Sequence, residues 1–221
     1  MKIRSIILSI CAISFLLSCN KTDFNYPKDT VGVSKIVYFP SISLVGADAV
    51  SVVKGTTFTD PGAKANVNGT DVPVTVTGTV NTAAVGLYIL TYTAANADGF
   101  TATTQRTVVV IPQAETPGAA DLTGTYTAIG GAPGPASVVK VDAGLYHTTN
   151  CWGGGSTVVI GVYFICTDGA TLIIPQQVVG SVGRVVTPNP GTYSAGLIDW
   201  TPSRLDFGGG PLTVEKKWQK M

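Results

Sequence analysis

The chain has 221 residues, with 14 basic and 13 acidic side chains, a single histidine and a formal net charge of +1. A balance this close to neutral gives no electrostatic basis for nucleic-acid binding. One histidine also means that any His-containing metal site or Ser-His-Asp arrangement would have to be built around that residue alone.

Residues 1–18 read as a secretory signal, in which Lys2 and Arg4 precede the apolar run Ile6 to Leu17. The run is shorter than the about 20 apolar residues that a membrane-spanning helix needs. It ends in Leu16-Leu17-Ser18-Cys19, which resembles the bacterial lipobox. The resemblance implies cleavage before Cys19 and lipid attached to Cys19. Several acyl chains at about 0.8 kcal/mol per buried CH₂ make such an anchor effectively permanent. Loss of Lys2 and Arg4 leaves 12 basic residues against 13 acidic ones, a net charge of −1. The expected product is exported and lipid-anchored at the outer membrane or cell surface, with a water-soluble body.

Residues 19–33 are polar and without periodicity, which predicts a flexible tether. Within them Asp29-Thr30-Val31 resembles a short O-glycosylation signal, although three residues match by chance often and a plain linker is the preferred reading.

From 34 to 112 the chain carries short runs of Val, Ile, Thr and Tyr, including VPVTVTGTV, GLYILTYTA and TTQRTVVVI. Turn signals such as Asp60-Pro61-Gly62, Asn68-Gly69 and Asp98-Gly99 break them. That spacing predicts a β-sandwich. The ordered series GTTFTDPGAKA, GTVNT, Gly86 to Ala94, Asp98-Gly99 and Arg106 to Val110 resembles the immunoglobulin-like repeat of bacterial surface proteins, of the pesticidal-crystal-protein type. Tyr88, just after Gly86, stands where a tyrosine corner would tie its hydroxyl back to the backbone. The segment holds neither cysteine nor tryptophan, so apolar packing must hold it together.

Residues 113–120 form a Pro- and Ala-rich linker, and 121–221 offer about eight further strand-like runs. These predict an antiparallel β-barrel-like domain or a second sandwich. Leu122-Thr123-Gly124-Thr125-Tyr126, Gly144-Leu145-Tyr146 and the closing strand resemble the C-terminal domain of lipoproteins from glycan-foraging Gram-negative bacteria. Such lipoproteins are often encoded beside starch-utilisation-type uptake systems. The resemblance implies polysaccharide and an outer-membrane uptake complex as partners.

Catalytic signatures do not assemble. H-E-x-x-H, Walker and G-x-S-x-G patterns are missing. Ser51 with Lys54 and Ser137 with Lys140 match S-x-x-K on strand-like runs, where the helical geometry that motif needs does not exist. Asp60, Asp98 and Asp168 precede Pro or Gly in turns, leaving Asp142, Asp199 and Asp206 unassigned. No cofactor or metal is expected, because His147, Cys151 and Cys166 lack the paired spacing and the fourth ligand of a zinc set.

Cys151 and Cys166 are the pair left for a disulfide in an oxidising compartment, against which stands the register of a simple hairpin. Trp152, beside Gly153-Gly154-Gly155, reads either as core or as a stacking platform for a sugar ring, with Asn150 and His147 supplying polar contacts. Tyr146 and His147 on one strand must face opposite ways, and His147 is the one assigned to the ligand face. The expectation is therefore an all-β, non-enzymatic surface lipoprotein that binds glycan or supports an uptake complex, with a structural or adhesive protein as the alternative.

Overall fold

Runs of β-branched and aromatic residues alternating with Thr suit a pleated, half-buried surface. In Gly86–Ala95 the alternation is visible as burial, since Leu90, Tyr92 and Ala94 are buried and the residues between them are not. The computed structural model describes residues 27–28, 30–31, 34–130, 135–153, 158–206 and 208–221. The signal segment and Cys19 lie outside the described residues.

The chain divides into two units, Met1–Tyr38 and Phe39–Met221. In the first, β1 (Thr30–Val31) pairs antiparallel with β2 (Ser34–Lys35), and the Thr30 hydroxyl donates to the Pro27 carbonyl at 2.7 Å. The second unit holds everything else and is all-β, with an immunoglobulin-like sandwich followed by a barrel.

The sandwich consists of β3 (Ser41–Leu44), β4 (Ala49–Val53), β5 (Ala63–Val67), β6 (Thr70–Val72), β7 (Thr75–Thr77), β8 (Gly86–Ala95) and β9 (Thr101–Ile111). One sheet runs β3-β5-β6 and the other β4-β9-β8-β7. Val52, Leu90, Tyr92 and Val108 form the core between them. All pairings are antiparallel except β4 with β9, which run parallel from Ala49 opposite Thr107 to Val53 opposite Ile111. The Tyr88 hydroxyl donates to the Ala84 carbonyl at 2.9 Å, which is the tie expected of a tyrosine corner.

The sandwich core also holds a charge. Arg106 is fully buried and donates to Asp60 at 2.5 Å and to the Val45, Ala47 and Gly62 carbonyls at 2.6, 3.1 and 3.2 Å. The Tyr92 hydroxyl donates to the same Asp60 oxygen at 2.7 Å. Burial, reinforced by that bond, pushes the Tyr92 hydroxyl up to about 12. Asp60 also accepts from Gly62 N–H at 3.1 Å, so the carboxylate read as a turn cap is at once the counter-ion of a buried guanidinium.

The second fold contains β10 (Gly124–Ala128), β11 (Ala136–Asp142), β12 (Leu145–Thr148), β13 (Val162–Ile165), β14 (Thr171–Leu172), β15 (Gln177–Val179), β16 (Gly183–Val186), β17 (Gly191–Ser194), β18 (Leu197–Trp200), β19 (Ser203–Arg204), β20 (Leu212–Thr213) and β21 (Lys216–Lys220). Eight strands form one sheet in the order β13-β12-β11-β10-β21-β18-β17-β14. Its two ends meet through the bridge Ile165–Ile173, whose N–H to carbonyl distances are 2.8 and 3.0 Å, so the sheet is nearly closed. A smaller sheet, β15-β16-β19-β20, contributes Val179, Val185 and Leu212 to the same interior. That interior is built on Tyr126, Tyr146, Phe164, Trp152, Trp200 and Trp218. A second tyrosine tie recurs here, from the Tyr126 hydroxyl to the Leu122 carbonyl at 2.7 Å.

Segment 113–120, read as a linker, is bonded to the barrel at Glu115 and Thr116. Thr116 N–H donates to the Thr167 carbonyl at 2.7 Å, and Glu115 pairs with Lys140 at 2.7 Å.

Inward and outward positions alternate along β12 and β13. Tyr146 and Phe164 point into the barrel, while Leu145 and Ile165 point out. Those outward residues are nonetheless fully buried, because they pack on Val109 and Ile111 of β9, with Val53 and Leu87 beside them. Sandwich and barrel thus share a core. Asp142, in β11, reinforces the seam by accepting the Ser51 N–H of β4 at 2.8 Å.

Candidate functional site

The loop from Asn150 to Gly153 was the leading place for a sugar, and its structure is that of a core element. The Asn150 side chain is 4% exposed, and its oxygen accepts from the N–H groups of Trp152, Gly153 and Ile160 at 2.9, 3.4 and 3.2 Å. These bonds close the loop on itself. Trp152 is also 4% exposed. Lys216 Nζ lies 5.5 Å and the Arg204 guanidinium 5.9 Å from its ring centroid, and Lys216 donates to the Gly153 carbonyl at 2.9 Å. Gly153 sits so close to the Trp218 ring that a Cβ there would collide with it. The open stacking platform expected at Trp152 is therefore corrected, because the ring is buried with side chains of remote strands beside it.

The disulfide is corrected as well, since Cys151 and Cys166 are separate buried thiols. Cys151 N–H bonds to the Ile160 carbonyl, and Cys166 N–H to the Gly144 carbonyl, at opposite ends of the β12–β13 hairpin. The extended run between Ile160 and Cys166 covers roughly 20 Å at ~3.4 Å per residue, well beyond the about 7 Å that a bridge tolerates. Burial pushes the thiols up to about 12 for Cys151 and about 11 for Cys166, which keeps both protonated and unreactive.

The unassigned carboxylates have structural partners. Asp142 holds Ser51 across the seam, Asp199 pairs with Lys217 at 3.2 Å, and Asp206 forms a fork with Arg184 at 2.7 to 3.1 Å. Asp168 caps its turn through Ala170 and Thr171 N–H groups at 2.9 and 2.6 Å. Among the described residues no group of three or more His, Cys, Asp and Glu side chains is placed to hold a metal.

His147 alone of the sugar-site candidates reaches a surface. It is partly exposed on the outer face of β12, with Val139 of β11 opposite on one side and Tyr163 of β13 on the other. The His147 and Tyr163 rings meet edge to face at 5.0 Å. Burial lowers the His147 pKa, favouring the neutral imidazole.

Tyr163 opens onto a cleft of about 470 Å³ between the two folds, inside the usual range of about 300–1,000 Å³ for ligand sites. One wall is Leu87, Ile89, Gln105 and Thr107 of the sandwich, and the other is Tyr163, Gln176, Gln177 and Val178 of the barrel. The register explains the opening. Leu87 opposite Val109 closes the shared core, while Ile89 opposite Thr107 and Thr91 opposite Gln105 lie progressively farther along the same face. On the barrel, Tyr163 follows Ile165 in the same way. The two faces therefore part just beyond their common core. No single strand announces this cleft, because its residues come from four separated stretches, and sequence reasoning missed it.

A further hollow of about 500 Å³ lies within the sandwich, lined by Phe58, Val76, Val80 and Leu90 with Thr56, Thr57, Thr79 and Thr82.

Residues 42–110 match the family model for the bacterial surface protein immunoglobulin-like domain. No curated protein matches the chain. Among solved structures, the lipoprotein BT2262 from Bacteroides thetaiotaomicron is similar at 23% identity and a TM-score of 0.42, over 82% of this chain and 100% of that one. The chain thus carries a surface-protein domain.

Proposed function

We propose that the chain, carrying a bacterial surface-protein immunoglobulin-like domain, is a lipid-anchored and non-enzymatic protein that binds glycan. In this role it serves a starch-utilisation-type polysaccharide-uptake complex of the outer membrane. The observation that supports glycan binding is the seam cleft, an uncharged concavity between two folds that a shared core holds fixed. A pre-formed cleft with a ring and a few amides on its walls suits a ligand recognised by shape and hydroxyl contacts. Asp60, Asp168, Asp199 and Asp206 are engaged in caps or ion pairs and Asp142 in a cross-strand hydrogen bond, which supports a binding role over hydrolysis, a reaction that requires two carboxyl groups about 5 to 10 Å apart across a substrate. Lipid attachment rests on the Leu16-Leu17-Ser18-Cys19 sequence.

A second reading, adhesion to a protein partner, draws on one observation. Phe39 and Phe100 meet edge to face at 5.0 Å while remaining 65% and 45% exposed, and exposed rings of this kind mark contact surfaces. Calorimetry of the mature protein against a polysaccharide panel tests the first reading, with saturable binding to at least one member expected. Absence of binding, together with co-purification of an outer-membrane transporter, would replace it with the second. Detergent partition of Cys19→Ala tests the anchor, and unchanged membrane association would remove it.

A further inference from the structure

Resting on the glycan-binding reading, we propose that the seam cleft holds a segment of uncharged polysaccharide, with Tyr163 as the stacking platform and Gln105 and Gln176 as the hydrogen-bonding groups.

The lining residues carry no formal charge. Burial, and to a lesser degree the charge of Asp48, raises the Tyr163 pKa, and that carboxylate is of the wrong sign to welcome an acidic sugar. The neighbouring imidazole of His147 is held towards its neutral form by burial. An anionic ligand would enter without a cation to meet it, and a cationic one would find no carboxylate on the walls.

The polar groups that do line the cleft match hydroxyls. A glutamine amide both donates and accepts, as a sugar hydroxyl does. Gln105 donates to the Thr91 hydroxyl at 3.2 Å and keeps its carbonyl and a second N–H. Among the described residues neither the Gln176 amide nor the Tyr163 hydroxyl has a protein hydrogen-bond partner. Gln177 has a different job. Its amide accepts from Tyr163 N–H at 2.9 Å and donates to the Tyr163 carbonyl at 2.8 Å, standing in for a neighbouring strand. That pairing fills the Tyr163 backbone groups at the cleft wall. Ile89 and Val178, 38% and 77% exposed at the two lips, leave apolar surface suited to the CH faces of sugar rings.

The test is calorimetry of the mature chain against neutral polysaccharides (starch, mixed-linkage β-glucan, mannan, xylan) and acidic ones (polygalacturonate, alginate). Binding is expected to a neutral polymer. Tyr163→Ala should weaken it about tenfold, while Tyr163→Phe, which keeps the ring, should stay within about threefold. Gln105→Ala and Gln176→Ala alter exposed side chains that hold no strand together, so they report on the cleft even where Tyr163→Ala fails to fold. Each should weaken binding several-fold with an unchanged melting temperature. A neutral polymer that binds wild type and both glutamine variants equally would overturn the cleft assignment and leave the glycan reading standing. Binding confined to acidic polymers would overturn the uncharged class. Binding to no polysaccharide would overturn the glycan reading and the cleft assignment together.

Discussion

A side chain as large as that of Trp152, buried with Lys216 and Arg204 beside its ring, stabilises the barrel in proportion to the apolar area it removes from water. Trp152→Ala is expected to cost about 3–5 kcal/mol, read as a fall in the denaturation midpoint with glycan affinity per folded molecule unchanged. His147 yields a prediction in pH. Its folded pKa lies below the ordinary 6.5 because burial disfavours the imidazolium. The unfolded chain therefore binds the proton first as pH falls, so stability is complete above about 6.5 and declines as the pH drops towards the folded value. The melting temperature should fall on acidification from pH 7.5 to 5.5, and His147→Gln should flatten that part of the curve, since no other histidine exists. A curve unaltered by the substitution would assign the dependence elsewhere. Neither the burial of Trp152 nor the separation of Cys151 from Cys166 was legible in the sequence. What covers the ring comes from residues 204, 216 and 218, and what parts the thiols is a hairpin register that spacing alone does not disclose. The pairing of Asp60 with Arg106 was hidden for the same reason, as its partners stand far apart in the chain.

Strands were more legible than side-chain partners, because a period of two survives in the sequence wherever one face is buried. Gly86–Ala95 and Thr101–Ile111 are long enough to show it, and both form the strands expected of an immunoglobulin-like fold. Legibility failed where elements are short. Gly183–Val186 and Gly191–Ser194 each open on a glycine and run four residues, too few for alternation to emerge. The strand-like stretch from Thr171 to Val179 is split, with Pro175 between Thr171–Leu172 and Gln177–Val179, because proline has no N–H for a ladder. The β12–β13 hairpin carries the largest consequence at this scale, since its two faces serve two cores. Ile165→Asp places a charge against Val109 and Ile111 while leaving the barrel interior intact. An unpaired buried charge is strongly unfavourable, so the seam should open before either fold melts. Calorimetry should show one transition for wild type and two for Ile165→Asp, and a single transition in the variant would mean that the shared core does not couple the folds.

At the scale of the whole molecule, fold class could be read from composition and turn spacing, whereas the cleft emerges only when the outward rows of two separate folds are brought onto one core. Rigidity and opening have a common origin here, because Leu87, Val109, Leu145 and Ile165 close the seam and the next residues on the same rows diverge. The parallel pairing of β4 with β9 has a mechanical consequence under the proposed N-terminal anchor. Ala49, where the chain enters β4, and Ile111, where it leaves β9, lie at opposite ends of the paired segment. A pull between the N-terminal side and a ligand gripped beyond Ile111 therefore drags the two strands lengthwise past each other. The hydrogen bonds from Ala49–Thr107 to Val53–Ile111 then bear the load together rather than parting one after another, and the tension reaches the sandwich as shear.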